Sequence, residues 1–401
     1  MTQQGSGALP EATDVLIVGA GPTGLAAACR LAQAGIEHVI IDRAPAGSNS
    51  SRAPVLHART LEVLDAIGAA ELLQREGLEV SDFVLRDRDQ TLLRLDFSEL
   101  PSAYPYALLL PQSRTELILS ELHARSGSRP VQRLWRAVSL EQDREGVNVR
   151  LSREPEGPQG AEPASQALIR ARYVLGCDGM YSGVREAAEI AFEGKAYPES
   201  FLLADVRMTW PLPPKQVQVF VSQGGVMVVA PMPEGLYRVV ATLDPAPEQP
   251  SAPDIEAVLR RRGPSVQALV HEVSWSGRFR VHRRIAERYR LGRVLLAGDA
   301  AHVHSPAGGQ GMNIGIQDGL SLADHLVHVS RNGGHPADLD AYERERRPVA
   351  EAVLRLTDGL TRLALLQSPL FRLLRNQTVR ALGRSARFRR QVSLQLSELA
   401  D

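Results

Sequence analysis

The residues with the clearest chemical potential are glycines. Gly19-Ala20-Gly21-Pro22-Thr23-Gly24 follows an apolar run, Val15–Val18, and precedes an Ala-rich stretch from about Leu25 to Ala34. Strand, glycine turn and helix in that order make a site for the pyrophosphate of a dinucleotide. Gly19 permits the tight turn, Gly21 lets backbone approach the phosphates, and Gly24 lets helix and strand pack closely. Pro22 and Thr23 lie at the bare helix N-terminus, whose N–H groups and positive dipole end suit an anion. A second strand, His38–Ile41, ends in Asp42-Arg43, where the spacing suits a carboxylate on an adenosine ribose. The motif says dinucleotide, and not which one.

Two distant segments ask for the same ligand. Gly298-Asp299 closes an apolar run, Arg293–Ala297. A carboxylate at such a turn can accept hydrogen bonds from a polyhydroxylated linker, which FAD has and nicotinamide dinucleotides lack. The glycine-rich loop Pro306–Gly311 then exposes backbone N–H groups, and a helix from about Met312 to Ser330 points its positive end at the same place. That dipole would favour negative charge on a reduced flavin ring by roughly 0.3–2 kcal/mol.

The rest of the chain must position these segments. Its 401 residues predict two lobes, and 44% hydrophobic residues suffice for a sizeable core. A net charge of zero argues against a nucleic-acid partner. Cys29 and Cys177 form neither a disulfide framework nor a metal pattern, so no metal is expected. No apolar run is long enough to span a membrane, and the polar start lacks the order of a signal peptide. A cytoplasmic protein is the expectation.

Along the chain, helices are expected over Thr60–Ile67 and Ser113–Ala124, the latter with Ser113 as N-cap and Glu116 completing a capping box. Gln142–Leu151 and Leu168–Val174 read as strands, with a loop at Glu154–Pro163. Tyr173–Leu175 runs into Gly176-Cys177-Asp178-Gly179 and a helix capped by Ser182. From Phe201 to Leu243 the alternation is that of an antiparallel sheet. Ile255–Arg262 and Val266–Val273 read as helices, as does Ala341–Leu399. There Leu363, Leu366, Leu370 and Leu373–Leu374 are expected to cover the flavin lobe or a subunit contact, rather than Arg380–Arg390 meeting a membrane or RNA.

GAGPTG near the start, GCDG in the middle and GDAAH…GGQGMNIGIQDG late resemble, in order and spacing, the flavin-dependent aromatic hydroxylases. These are the para-hydroxybenzoate hydroxylase type of group A monooxygenase, and the phenol and polyketide hydroxylase branch is the nearest match. The resemblance implies an α/β fold. A Rossmann-like FAD-binding domain (1–77, 105–190 and 285–335) would carry inserted substrate-domain strands (78–104) and a substrate-binding β domain (191–284), with C-terminal helices over 336–401. It implies Asp299 on the ribityl and pyrophosphate region, and Gly309, Gly311, Met312 and Asn313 at the flavin ring. Gln112 and Arg114 would meet the FAD linker, Arg52 the flavin and pyrophosphate, and Pro306 the substrate. Asp178-Gly179 would serve both FAD and NAD(P)H. GCDG departs from the more usual alanine-containing form, and the thioredoxin-like third domain of larger relatives is not expected.

The implied reaction is NAD(P)H- and O2-dependent hydroxylation of an aromatic, phenolic or polyketide-like substrate. It would proceed through a flavin C4a-hydroperoxide, in a monomer or homodimer. Epoxidation, Baeyer–Villiger oxidation, reduction, or FAD binding without oxygenase activity are the alternatives on the same scaffold. No W-x-W-x-I-P stretch supports a halogenase. A phenolate-like substrate assists its own attack, so no catalytic residue is named, and His57, His302 and His304 read as structural. The substrate wall is expected at Val219, Val221, Met227, Val229 and Met232, with Arg207 and Arg238 as the nearby charges.

Overall fold

Apolar strands that end in glycine turns predict a parallel sheet. The computed structural model, which describes residues 9–47, 53–155, 165–331, 333–364 and 368–400, places that sheet at the centre of the first lobe. Strand Ala12–Val18 lies between His38–Asp42 and Gln166–Gly176, parallel to both, and Val294–Leu296 extends the sheet beyond Gly176 in the same direction. Register aligns Val18 with Ile41 and with Gly176, and Gly176 with Leu296. Three turns distant in sequence therefore leave the sheet at one carboxyl edge, where open α/β sheets bind ligands. Val15, Leu16 and Ile17 are fully buried, as expected where elements cover both faces. Each such burial stabilises by about 1.5–3 kcal/mol.

Helix Pro22–Gln33 and the long helix Gly311–Arg331 pack at very close range. A Cβ at Gly315 would lie 2.6 Å from Thr23 Oγ1, and one at Gly319 would lie 2.3 Å from the Thr23 carbonyl oxygen. The glycine face of the late motif is thus the surface that admits the early one.

The second lobe is an eight-stranded sheet. Its order is His302–Val303, Leu269–Ala286, Phe192–Thr209, Tyr237–Thr242, Gly225–Pro231, Gln216–Ser222, Asp82–Asp87 and Gln90–Asp96. All its pairings are antiparallel except Gln216–Ser222 with Asp82–Asp87. Helix Ala252–Arg262 packs on one face through Ile255, Val258 and Leu259. The other face meets the small sheet of Val55–Leu56, Ala107–Leu109 and Leu78–Val80. No helix among the described residues is long and apolar enough to cross a membrane.

Three local expectations are corrected, and a fourth is narrowed. Helix Gln112–Arg125 has Pro111, not Ser113, at its N-cap, because proline presets the entry and needs no N–H. The stretch Gln142–Leu151 is a hairpin, not one strand; Asp143 Oδ1 accepts from the Glu145 and Gly146 amides, at 2.7 and 3.0 Å, and turns the chain. Val266–Val273 is not helical. From Leu269 it is strand, paired with Phe192–Thr209 along its length, and this long-range pairing overrides local spacing. The C-terminal region forms helices Asp340–Ala364, Pro369–Gly383 and Ala386–Leu396, and Leu363, Leu370, Leu373 and Leu374 face outward, so of their two expected roles they do not cover the flavin lobe. Leu366 lies outside the described residues.

Candidate active site

Gly19 adopts φ +106, and a Cβ there would lie 2.3 Å from the Cys177 carbonyl oxygen. A Cβ at Gly24 would lie 2.0 Å from the Gly19 carbonyl oxygen. The protein's own packing therefore demands both glycines. Gly21 differs, since a Cβ there would meet nothing within 4 Å, so its bareness serves something that comes from outside. Asp42 Oδ2 accepts from the Ala20 amide and Oδ1 from the Ala44 amide, both at 2.7 Å. The carboxylate thus pins the fingerprint loop to the second strand, and a ribose would share an acceptor already holding the turn. Arg43 beside it is exposed.

The other two turns of the carboxyl edge meet this one. A Cβ at Gly298 would lie 2.6 Å from Thr23 Oγ1, so the Gly298–Ala300 turn touches the fingerprint helix, with Asp299 exposed beside it. Asp178 Oδ2 accepts from the Val184 amide at 3.1 Å, whereas Oδ1 is buried with no hydrogen-bond partner. Burial pushes this carboxyl up from its ordinary range, against the pull of Ser182 and the Val184 amide. Ser182 caps its helix as expected, accepting from the Arg185 amide at 2.9 Å.

Arg185, which sequence reasoning missed, ties the edge together. Its guanidinium donates to the Ala300 and Met180 carbonyls, both at 2.8 Å, and lies 3.8 Å over the Phe192 ring. Beneath the Asp299 turn, fully buried Asp318 accepts from Arg346 Nε at 2.7 Å and pairs with His302 Nε2 at 2.6 Å. Burial pushes the Asp318 carboxyl up, but Arg346 and His302 outweigh it and hold it below the ordinary range. His302 is thereby a structural group, as its sequence suggests.

The loop before helix Gly311–Arg331 is held by side chains. Asn313 accepts from the His57 amide at 2.8 Å and donates to the Val55 and Gly309 carbonyls at 2.9 and 2.8 Å. Its side chain is spent inside the protein, and the whole residue is buried. Gly309 takes φ +69, and a Cβ there would lie 3.3 Å from Val55 Cβ. Met312 is buried and Pro306 exposed. His57 Nε2 lies 2.8 Å from the Gly308 carbonyl, and His304 Nδ1 lies 2.8 Å from the Ser305 carbonyl. Burial lowers both rings to about 4, so each is neutral at pH 7 and donates through that nitrogen. His57 Nδ1, His304 Nε2 and Gln310 Oε1 are then buried acceptors without partners. They crowd around one glycine loop.

Gln112 opens its helix and donates to Glu116 at 2.8 Å. Arg114 is exposed and pairs with Glu76 at 2.7 Å. Arg52 lies outside the described residues.

The wall opposite the loop is set by strand parity. Val217, Val219, Val228, Ala230, Met232 and Leu236 cluster with Val55 and Leu109, and Val55 is the residue against Gly309. Met227 and Val229 point the other way, onto helix Ala252–Arg262. The residues expected in one wall are thus divided between two faces, because neighbours on a strand face opposite sides. Arg238 is buried and bidentate with Asp205, at 2.7 Å for each bond. Register sets this pair level with Ala230, so the face carries a neutralised pair rather than a bare cation. Arg207 lies at the exposed edge with Glu272 and the Glu234 carbonyl.

The orphaned acceptors, the open Gly21 and the exposed Asp299 fit a long ligand bearing phosphates, hydroxyls and an imide N–H, which is what FAD offers. Comparison with known proteins agrees. Residues 12–357 match the family described as FAD binding domain. The chain is 37% identical over 357 residues to the uncharacterized aromatic compound monooxygenase YhjG of Bacillus subtilis, covering 87% of this chain and 68% of that one. It is 39% identical over 359 residues to the 12-dehydrotetracycline 5-monooxygenase/anhydrotetracycline 6-monooxygenase of Streptomyces rimosus, covering 86% and 68%. Among solved structures, p-nitrophenol 4-monooxygenase PnpA of Pseudomonas putida superposes with a TM-score of 0.85 at 26% identity, covering 97% of this chain and 99% of that one. OxyS anhydrotetracycline hydroxylase of Streptomyces rimosus gives 0.79 at 35%, covering 97% and 76%. The chain belongs to the FAD-binding family of flavin-dependent aromatic monooxygenases.

Proposed function

We propose that this enzyme uses NAD(P)H and O2 to hydroxylate an apolar phenolic or polyketide-like ring held between loop Pro306–Gly311 and the valine wall. The observation that carries the reading is the continuity of that wall with the loop through Val55, on a face whose buried Arg238 is already neutralised by Asp205. A carboxylate substrate would want an arginine clamp instead. FAD would be held by Gly19, Gly21, Pro22, Thr23, Gly24 and Asp42 at its adenosine and pyrophosphate end. Asp299 would serve the linker, and the backbone of Gly309, Gly311, Met312 and Asn313 the ring. When bound, FAD supplies electron transfer from the reductant and the activation of oxygen.

The chain's own residues do the rest. Asn313 and His57 fix the loop, the wall excludes water from the substrate, and the dipole of helix Gly311–Arg331 favours negative charge at its N-terminus. Arg284 shares the Phe192 ring with Arg185, at 5.9 and 3.8 Å, and Arg280 lies on the same face of that strand. Among the described residues no carboxylate bonds to either of these strand arginines. The ridge supports docking of the reductant's phosphates beside Asp178. The test is NAD(P)H oxidation by the FAD-loaded enzyme with a panel of phenols, the product read by mass. A gain of one oxygen is expected; oxidation of NAD(P)H without oxygen transfer to any aromatic would overturn the reading.

A further inference from the structure

Helix Pro369–Gly383 is inside out. Its polar residues face the protein: Arg375 donates to the Val221 carbonyl and, at 2.8 Å, to Asn376 Oδ1, while Asn376 and Arg372 bond Asp87 at 2.7 and 3.3 Å. Its apolar residues face solvent, with Leu370 63% exposed, Phe371 58%, Leu373 55% and Leu374 52%. A continuous face of large side chains left open in this way marks an interaction surface.

Charge identifies the occupant. From Ser368 to Ala400 seven arginines stand against one acid, Glu398, in a chain whose total charge is zero. At the C-terminal end of the helix a groove of about 470 Å³ is lined by Arg94, Arg380, Arg384 and Arg389. Its carboxylate, Asp96, already accepts from the Ser98 amide at 2.9 Å, and Arg94 pairs with Asp82 at 2.9 Å. A second copy docked two-fold through this face would set the arginine-rich segment against itself, which disfavours self-association. An apolar face beside a cationic groove suits an amphipathic anionic surface, with apolar side chains in the acyl boundary and guanidinium groups on phosphates.

We propose that helix Pro369–Gly383 docks the protein peripherally on anionic lipid, with Leu370, Phe371, Leu373 and Leu374 entering the bilayer boundary and the arginine groove taking headgroup phosphates. The surface is one helix away from the flavin loop. The next helix, Ala386–Leu396, ends at Leu396, whose carbonyl accepts from Gln310 Nε2 at 3.0 Å. On the proposed function the substrate is an apolar aromatic compound that partitions into the same bilayer, so docking would bring the flavin loop near the substrate's reservoir.

The test is co-sedimentation of the FAD-loaded full chain with phosphatidylcholine vesicles, and with vesicles of phosphatidylcholine and phosphatidylglycerol in equal parts. Anionic vesicles should bind at least about tenfold more protein at low salt, and the advantage should shrink as salt rises. The pair Leu370→Ser with Leu374→Ser, and separately Arg380→Gln with Arg384→Gln, should each lower binding about tenfold. Flavin content and melting temperature should stay at their native values, since none of the four side chains is buried. Equal binding to both vesicle types would overturn the proposal. So would a native dimer that Leu370→Ser with Leu374→Ser converts to monomer, which would assign the face to a second copy.

Discussion

At the scale of single residues, the carboxylates of the site divide their labour by exposure. Asp42 is engaged by the Ala20 and Ala44 amides and shapes the loop before any ligand arrives. Asp318 is buried with Arg346 and His302 and shapes the ground beneath the late turn. Asp299 is the exposed one, carried on that turn where it can meet a ligand hydroxyl. Asp299→Ala should therefore fold with a native melting temperature and purify with little bound FAD. Losing a charge-assisted hydrogen bond of about 1.5–3 kcal/mol lowers affinity roughly tenfold or more. The ratio of flavin absorbance to protein absorbance measures it, and full occupancy would return Asp299 to the role of a turn residue. Glycine identities are legible at this scale because their reasons are local. Gly19 and Gly24 answer to the Cys177 and Gly19 carbonyls, as the fingerprint alone suggests. Arg185 was not legible, since an arginine two residues into a short helix has no signature until Ala300 and Phe192 stand beside it.

At the scale of elements, strand parity decides which side chains line the proposed substrate wall. Val228 and Val229 are chain neighbours on strand Gly225–Pro231, yet Val228 joins the wall beside Val55 and Val229 packs under helix Ala252–Arg262. Val228→Ala should change KM and selectivity across a panel of phenols while leaving the melting temperature near native. Val229→Ala should lower stability by about 1–3 kcal/mol through the cavity it leaves and leave selectivity alone. Denaturant titration and steady-state kinetics on both variants separate the two, and the reverse pattern would show the parity inverted. Sequence alternation predicts that such strands exist. Which face of each turns toward Val55 depends on the pairing of Asp205, Arg238 and Ala230 across three strands. The same reason hid the strand at Leu269–Ala286, whose partner lies over sixty residues back at Phe192–Thr209.

At the scale of the whole molecule, buried titrating groups set an optimum of stability. Burial lowers His57, His123 and His304 from 6.5 to about 4, and raises Glu398 from 4.5 to about 8. Between pH 6.5 and 4 the unfolded chain binds protons at these histidines that the folded chain refuses, so stability falls as pH drops. Between pH 4.5 and 8 the folded chain keeps a proton on Glu398 that the unfolded chain has released, so stability falls as pH rises. Three histidines outweigh one carboxyl on the acid side, and the melting temperature should peak at about pH 6.5. Glu398→Gln, which keeps an acceptor for Thr60 and Gln317, should flatten the alkaline limb. A native melting temperature that climbs steadily from pH 6.5 to 8 would contradict this assignment.

By itself the sequence determined the three glycine turns proposed to cradle the cofactor. Strand, glycine turn and helix are local codes, and GAGPTG, GCDG and GDAAH carry them whatever surrounds them. Tertiary structure alone decided how these codes combine. Register at Val18, Gly176 and Leu296 brings the three turns to one edge, and parity selects Val228 over Val229 for the wall. Asp87 and Val221 draw the polar side of helix Pro369–Gly383 inward and leave its leucines outside. Helical spacing shows that a helix has an apolar face. Only its neighbours determine which way that face turns, because buried polar groups must find their partners first.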